Sequence, residues 1–243
     1  MSPDVFQEMA RVQKTNWWFA ARRKILESVI TGISLPCSPK ILELGCGPRG
    51  NLAMLNKFGE LHAMESDKAA CDIANSLSIC NVTQGCLPAI APYPDRAFDL
   101  VCMLDVLEHI EDDGMALQSA ARLLKPAGRL LVTVPAYAWL WSAHDEAHHH
   151  YRRYTMRTLE QAASAADLKI QRMGYFNSFL FPAIATARLL GKSSGRKSAS
   201  DATEPPPLIN AMLRTIFQME SYLIPHMLFP FGTSVMAILH TSK

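Results

Sequence analysis

The feature that most constrains this chain is the run KILELGCGPRGN, residues 40–51. Residues suited to a covered strand are followed at once by Gly45, Gly47 and Gly50, and then by residues suited to a helix. A strand that ends in glycines and turns directly into a helix brings main chain close to a ligand at the carboxyl edge of a parallel sheet. The spacing also matches GxGxxG letter for letter, which marks a nucleotide loop without choosing the nucleotide.

The rest of the chain repeats that rhythm. Apolar runs at 40–44, 61–65, 79–84, 98–104 and 129–134 predict strands, and 51–58, 67–76 and 112–124 predict helices, with Asp67 as a cap. Strands alternating with helices predict βαβ units and a parallel sheet covered on both faces. A further helix at 155–166, capped by Thr155, and a sixth strand at 169–175 follow. The pattern then breaks: an apolar helical stretch at 177–190, a small, polar, proline-ended linker at 191–207, an amphipathic helix at 208–223 and a last strand at 233–240. The expected organisation is an N-terminal helical lid (1–36), a core (37–176), an apolar helical insertion with a mobile linker (177–231) and a return to the core (232–243).

Composition narrows the classes. Hydrophobic residues are 49%, charged residues 19% and the formal net charge is +2, so a globular core is expected and a nucleic-acid partner is not. The six cysteines contain no CxxC pair, which predicts reduced thiols and no structural zinc. The apolar stretch 179–190 is broken by Pro182 and Arg188 and is shorter than the ~20 residues that span a bilayer. The N-terminus carries charges where a signal peptide has an apolar core. The expected location is the cytoplasm, with a peripheral position at the inner membrane surface as the extension of that reading.

Three features bear on the nucleotide. Glu65, ending the second strand, suits ribose hydroxyls in any adenosine cofactor. Glu43 lies inside the first strand end, where a carboxylate is costly unless satisfied and where a pyrophosphate would be repelled. DVLEHI (105–110) follows the fourth strand, and LLKPAGRLLVTVPA (123–136) carries the fifth. On these residues the chain resembles the class I S-adenosylmethionine-dependent methyltransferases, in particular the broad small-molecule group called type 11. The resemblance covers residues 40–136.

It implies a Rossmann-like α/β fold: a seven-stranded, mostly parallel sheet with an antiparallel last strand, preceded here by the helical insertion. It implies that Glu43, Gly45, Cys46, Gly47 and Asn51 hold the methionine part of S-adenosylmethionine, and that Glu65 and Ser66 hold the ribose. Gly85, Cys86 and Leu87 would flank the adenine, Cys86 standing where the family has an acidic residue. Asp105 and Val106 would lie by the cofactor, and His109 on the acceptor side. In similar methyltransferases an N-terminal helix closes over the cofactor, which gives Trp18 a shielding role and Arg22 a contact to the cofactor carboxylate.

Methyl transfer from a sulfonium needs alignment first and a base only where the acceptor must lose a proton. The loop SAHDEAHHHYRRY (142–154) leaves the carboxyl edge, and His109 and His144 are the candidate bases. His144, His148, His149 and His150 would hold a metal only if their geometry converged, which spacing cannot show; the expectation is no metal. Arg152 and Arg153 are expected to pair with carboxylates. The apolar insertion predicts a small, apolar or lipid-like acceptor, with O-methylation favoured and membrane-surface contact through 177–231. An NAD-dependent oxidoreductase and a non-catalytic S-adenosylmethionine-binding partner subunit are the alternatives.

Overall fold

A computed structural model describes residues 11–48, 50–89, 92–193 (backbone alone for 191–193) and 205–242. Seven strands form one sheet: β1 (Lys40–Leu44), β2 (Glu60–Glu65), β3 (Val82–Gln84), β4 (Phe98–Leu104), β5 (Leu124–Pro135), β6 (Leu168–Phe176) and β7 (Ser234–Thr241), in the order β3-β2-β1-β4-β5-β7-β6. Strands β1 to β5 pair in parallel, and β7 runs antiparallel to both β5 and β6. The expected mixed sheet with an antiparallel last strand is therefore the observed one.

The reason lies in the apolar runs. Ile41 to Leu44 in β1 and Leu100 to Leu104 in β4 are all buried, as are Ser234 to Leu239 in β7. Strands covered on both faces cannot alternate polar and apolar residues, and these do not. Helix Lys68–Ser76 begins where Asp67 accepts from the N–H groups of Ala69 and Ala70, and helix Met156–Ala165 begins at the Thr155 cap. All six cysteines are free thiols.

Some expected boundaries move. The helix expected at 51–58 is only Leu52–Leu55. Gly59 passes so close to Pro39 that a Cβ would lie 2.2 Å from its carbonyl oxygen, and that carbonyl accepts from the Glu60 N–H at 2.9 Å, so the chain turns early to start β2. The helix expected from 177 begins at Phe181. The N–H groups of Asn177, Ser178 and Phe179 instead donate to the fully buried Glu220 carboxylate at 2.7, 2.6 and 2.9 Å. The expected helix 208–223 is divided into Pro207–Gln218 and Glu220–Leu223. The expected linker falls largely on 194–204, outside the described residues. No described helix is long and apolar enough to cross a membrane.

Helix Trp17–Thr31 packs against helices Pro207–Gln218 and Glu220–Leu223, so this helix and the insertion share an interface. Asn210 joins them: its amide oxygen accepts from the Trp17 N–H at 2.8 Å, and its amide nitrogen donates to the Thr15 carbonyl at 3.0 Å. Trp17 also meets Phe217 edge-on at 6.0 Å.

Candidate cofactor and acceptor site

The ends of β1, β2, β4 and β5 bring most of the predicted residues to one sheet edge. After β1, Gly45 and Gly47 adopt φ of +71° and +61°, which glycine alone accepts cheaply. The N–H groups of Gly45 and Cys46 donate to the Met64 carbonyl at 2.8 and 3.2 Å, tying the loop to β2. A Cβ on Gly45 would lie 2.7 Å from a Val106 methyl, whereas one on Gly47 would meet nothing within 4 Å. The loop is thus packed against Val106 on one side and open on the other.

Glu65 is buried and held in place by main chain. Its Oε2 accepts from the Gly47 N–H at 2.8 Å, and its Oε1 accepts from the Ser66 N–H, the Ser66 hydroxyl and the Asp67 N–H. Oε2 takes one of these four bonds and Oε1 three, so Oε2 is the oxygen with acceptor capacity left for a hydroxyl. Glu43 is nearly inaccessible, at 1% exposure. Its Oε1 accepts from Asn51 Nδ2 at 2.7 Å, and its Oε2 is buried without a partner. Burial pushes its carboxyl up to about 7, against the Asn51 hydrogen bond and the nearby Arg22. The Gly50 N–H donates to Gln13 Oε1 at 3.1 Å, a contact the sequence did not signal.

Arg22 is buried and already paired. Its Nη2 lies 2.9 Å from Asp105 Oδ2 and donates to Thr133 Oγ1 at 2.9 Å, while Thr133 donates to Asp105 Oδ1 at 2.9 Å. Its guanidinium sits 5.2 Å from the Trp18 ring centre, within cation–π range. Trp18 and Arg22 do come to this edge, but Arg22 is locked to Asp105, and its buried Nε has no partner. Thr133, on β5, was not foreseen; its hydroxyl closes the triangle. Asp105 itself has φ of +58°, a strained value for a side-chain-bearing residue, at the position where β4 leaves the sheet.

Gly85 follows β3, and a Cβ there would lie 2.6 Å from the Met64 sulfur. Cys86 is exposed, and its thiol donates to the Leu87 carbonyl at 3.3 Å rather than reaching inward. The Leu87–Pro88 peptide is cis.

On the other side of Asp105, the turn Leu107–His109 faces the histidine loop. His109 meets His150 edge-on at 4.6 Å, and His144 lies 4.3 Å from His148 and 6.0 Å from His150. Burial of its ring, with His150 beside it, pushes the His109 imidazole down to about 4, although the residue keeps an exposed edge. Burial and the neighbouring His144 do the same to His148. Both rings are neutral at pH 7.

Asp145, fully buried, is the anchor of this loop. Burial opposes its charge, but His150 and Arg153, with the Ser142 N–H, outweigh burial and hold its carboxyl well below the usual range. Arg153 grips it through two nitrogens at 2.7 and 2.9 Å, and Arg152 pairs with Asp113 at 2.9 Å, as expected for this arginine pair. Glu108, Asp145 and His150 were not among the predicted site residues. Beyond the histidine run itself, only the burial of both carboxylates distinguishes them, and that is a tertiary property.

The insertion presents apolar side chains to solvent: Leu208 is 83% and Tyr222 75% exposed, with Met212, Met219, Met227 and Leu228 also exposed. Near the edge, Tyr137 (φ +56°) stacks on Tyr175 at 5.1 Å and on Trp139 at 5.8 Å.

The unpartnered Glu43 and Arg22 atoms and the open side of Gly47 fit a zwitterionic nucleoside better than a pyrophosphate, which Glu43 would repel. Comparison with known proteins agrees: a family model described as a methyltransferase domain matches residues 17–172. The chain belongs to this family, within the class I S-adenosylmethionine-dependent methyltransferases. That sets aside the oxidoreductase alternative. The chain is 31% identical over 99 residues to a ubiquinone biosynthesis O-methyltransferase of Alkalilimnicola ehrlichii, covering 38% of this chain and 40% of the relative. It is 26% identical over 146 residues to a demethylmenaquinone methyltransferase of Corynebacterium glutamicum, 56% of each chain. The matches thus span about half, or less, of these curated relatives' length. A solved TehB-like S-adenosylmethionine-dependent methyltransferase from Corynebacterium glutamicum has a TM-score of 0.60 over 99% of this chain and 100% of its own, at 15% identity, and shows the shared fold.

Proposed function

We propose that this methyltransferase transfers the methyl group of S-adenosylmethionine to a hydroxyl of a small, apolar, quinone- or lipid-like acceptor. The observation that carries the cofactor half is Glu43: a buried carboxylate whose one free oxygen points to an ammonium partner. In this reading Glu43 and the Gly45–Gly47 loop, with Cys46 and Asn51, hold the methionine part, and Glu65 Oε2 with Ser66 takes the ribose. Gly85, Cys86 and Leu87 flank the adenine through main chain, since the Cys86 thiol turns back on Leu87. Val106 backs the glycine loop. Asp105 fixes Arg22 and Trp18 over the cofactor edge, so the N-terminal helix acts as a cover.

The acceptor oxygen attacks the methyl carbon, and the sulfur–carbon electron pair returns to sulfur, leaving S-adenosylhomocysteine. His109 and His144 are the candidate bases on the acceptor side that would take the hydroxyl proton. The apolar acceptor is supported by the exposed side chains of the insertion, which also suit contact with a membrane surface from which such a molecule could be drawn. The quinone-pathway names of the two curated relatives point the same way.

The test pairs calorimetry with an acceptor screen. S-adenosylmethionine, and not NAD, should bind, and labelled methyl should appear in the lipid phase of a host extract. Binding without label in any phase would favour the inactive partner-subunit reading. Label confined to the aqueous phase would remove the apolar acceptor. Flotation with anionic liposomes, lost when Leu208 and Tyr222 become serine, checks the membrane contact.

A further inference from the structure

We propose that Glu108, His109 and His150 form a binding site for one first-row divalent transition ion on the acceptor side of the cofactor loop. The site's existence stands on its geometry; its role rests on the methyl-transfer reading above.

Each residue offers one ligand atom, and these atoms all lie within 4.8 Å of one another. They come from two segments: Glu108 and His109 from the turn after β4, and His150 from the loop after helix Ala143–Ala147. The Tyr151 N–H donates to the Glu108 carbonyl at 2.8 Å and pins the segments together. Glu108 is 1% exposed, and its Oε2 is buried without a partner. A buried carboxylate oxygen with no donor is costly and asks for an explanation. Here it sits beside two imidazoles, and a cation is the partner that would satisfy all of them at once.

The surroundings are those of a ligating imidazole. His150 Nδ1 is 2.9 Å from Asp145 Oδ1, and Asp145 is itself fixed by Arg153 and by the Ser142 N–H and hydroxyl. A carboxylate behind a histidine sets its tautomer and aims the far nitrogen at a metal; Nε2 is the atom so aimed. His109 has a hydrogen bond with the backbone of His148, which restrains its ring as well. Donors sit about 2.0–2.2 Å from such an ion, so the cluster must close somewhat around it.

Two imidazoles and one carboxylate suit manganese, iron, cobalt or zinc rather than calcium or magnesium, which prefer all-oxygen sets. Three protein ligands leave coordination positions open for an outside oxygen. Asp105, locked to Arg22, is close enough to act on the charge of both Glu108 and His109, so the site adjoins the cofactor edge. An acceptor hydroxyl bound there would release its proton to bulk water more readily. Its oxygen pair would then form the new bond to the methyl carbon as the sulfur–carbon bond breaks. The products are a methyl ether, S-adenosylhomocysteine and one released proton. This assigns His109 as a ligand rather than a base.

The test uses tag-free full-length protein, stripped with chelator, with and without S-adenosylhomocysteine. Co2+ is titrated by visible absorption, and Mn2+ by loss of its free electron-paramagnetic signal. Wild type should bind one equivalent. Glu108→Gln and His150→Ala should each weaken binding at least tenfold, while S-adenosylhomocysteine affinity by calorimetry stays within twofold. His226→Ala, on the exposed surface, should bind as wild type. Should His150→Ala fail to fold, the near-isosteric Glu108→Gln carries the test alone. Absence of ion binding, or equal binding by wild type and Glu108→Gln, overturns the site. Ion binding without S-adenosylhomocysteine binding would keep the site and remove the methyl-transfer reading.

Discussion

Replacing Glu43 with Gln isolates one titration. The side chain keeps its shape, and Gln can still accept from Asn51 Nδ2, so what disappears is the charge. In the folded protein the carboxyl is raised from 4.5 to about 7. Between those values the native state holds a proton that the unfolded chain has released, so wild-type stability falls as pH rises, and falls no further above about pH 7. At about 1.4 kcal/mol per unit, the loss sums to about 3 kcal/mol. Wild type and Glu43→Gln should therefore differ little at pH 4.5. By pH 8 the variant should melt roughly 6–12 °C higher, at the 2–4 °C per kcal/mol expected of a chain this size. The ligand reverses the preference, because the ammonium of S-adenosylmethionine favours ionised Glu43. Relative to the variant, wild-type affinity should weaken about tenfold from pH 8 to pH 6, since about nine-tenths of the free carboxyls are protonated at the lower value. Taking the ratio to the variant at each pH cancels the ligand's own ammonium titration. Melting by differential scanning fluorimetry and Kd by calorimetry measure both quantities. Parallel melting curves across pH 5–8, or the same Kd ratio at pH 6 and 8, would refute the reasoning.

Other substitutions probe the remaining contacts. Gly45→Ala places a methyl against Val106 at φ +71°, and should cost roughly 1–3 kcal/mol of stability in urea melts and most cofactor affinity. Gly47→Ala meets open space at φ +61°, so it should cost about 1 kcal/mol by strain alone, and a larger loss would argue against that geometry. Thr133→Val removes the hydroxyl joining Arg22 to Asp105; a loss of about 1–3 kcal/mol is expected from the groups left unpaired, read as lowered melting temperature together with weaker S-adenosylhomocysteine binding. Asp145→Asn leaves the buried Arg153 without its counter-charge and should cost about 3–5 kcal/mol by urea denaturation; a loss under 1 kcal/mol would show that the pair is not essential.

What the sequence revealed follows from how local each signal is. β1 and β4 were legible to the residue because a doubly covered strand is written as an unbroken apolar run. Asp67 and Thr155 were legible as caps because a cap bonds two or three residues ahead. The glycine loop and Glu65 were legible as neighbours at one sheet edge because both sit at the carboxyl ends of parallel strands. The start of helix Phe181–Ser193 was not, because Glu220, more than forty residues away, captures the amides of 177–179. Arg22 was picked out by its place before β1, but its pairing with Asp105 and Thr133 depends on β4 and β5 lying side by side. For the histidine loop, spacing could not show whether the rings converge on a metal: Glu108 and His109 follow β4, His150 follows the helix Ala143–Ala147, and only the tertiary fold brings the three together.

The amide of Asn210 binds the beginning of the chain to its end, accepting from residue 17 and donating to residue 15. Trp18 and Arg22 lie on the same helix, within its first two turns. In the proposed reading, in which that helix covers the cofactor, a load on the apolar face around Leu208 and Met212 reaches the cover through Asn210. Two sites joined by one rigid fastener exchange free energy in equal measure in both directions. In that reading, an acceptor that tightens the fastener would raise cofactor affinity by the same factor as the cofactor raises the acceptor's, and one side chain would carry the coupling.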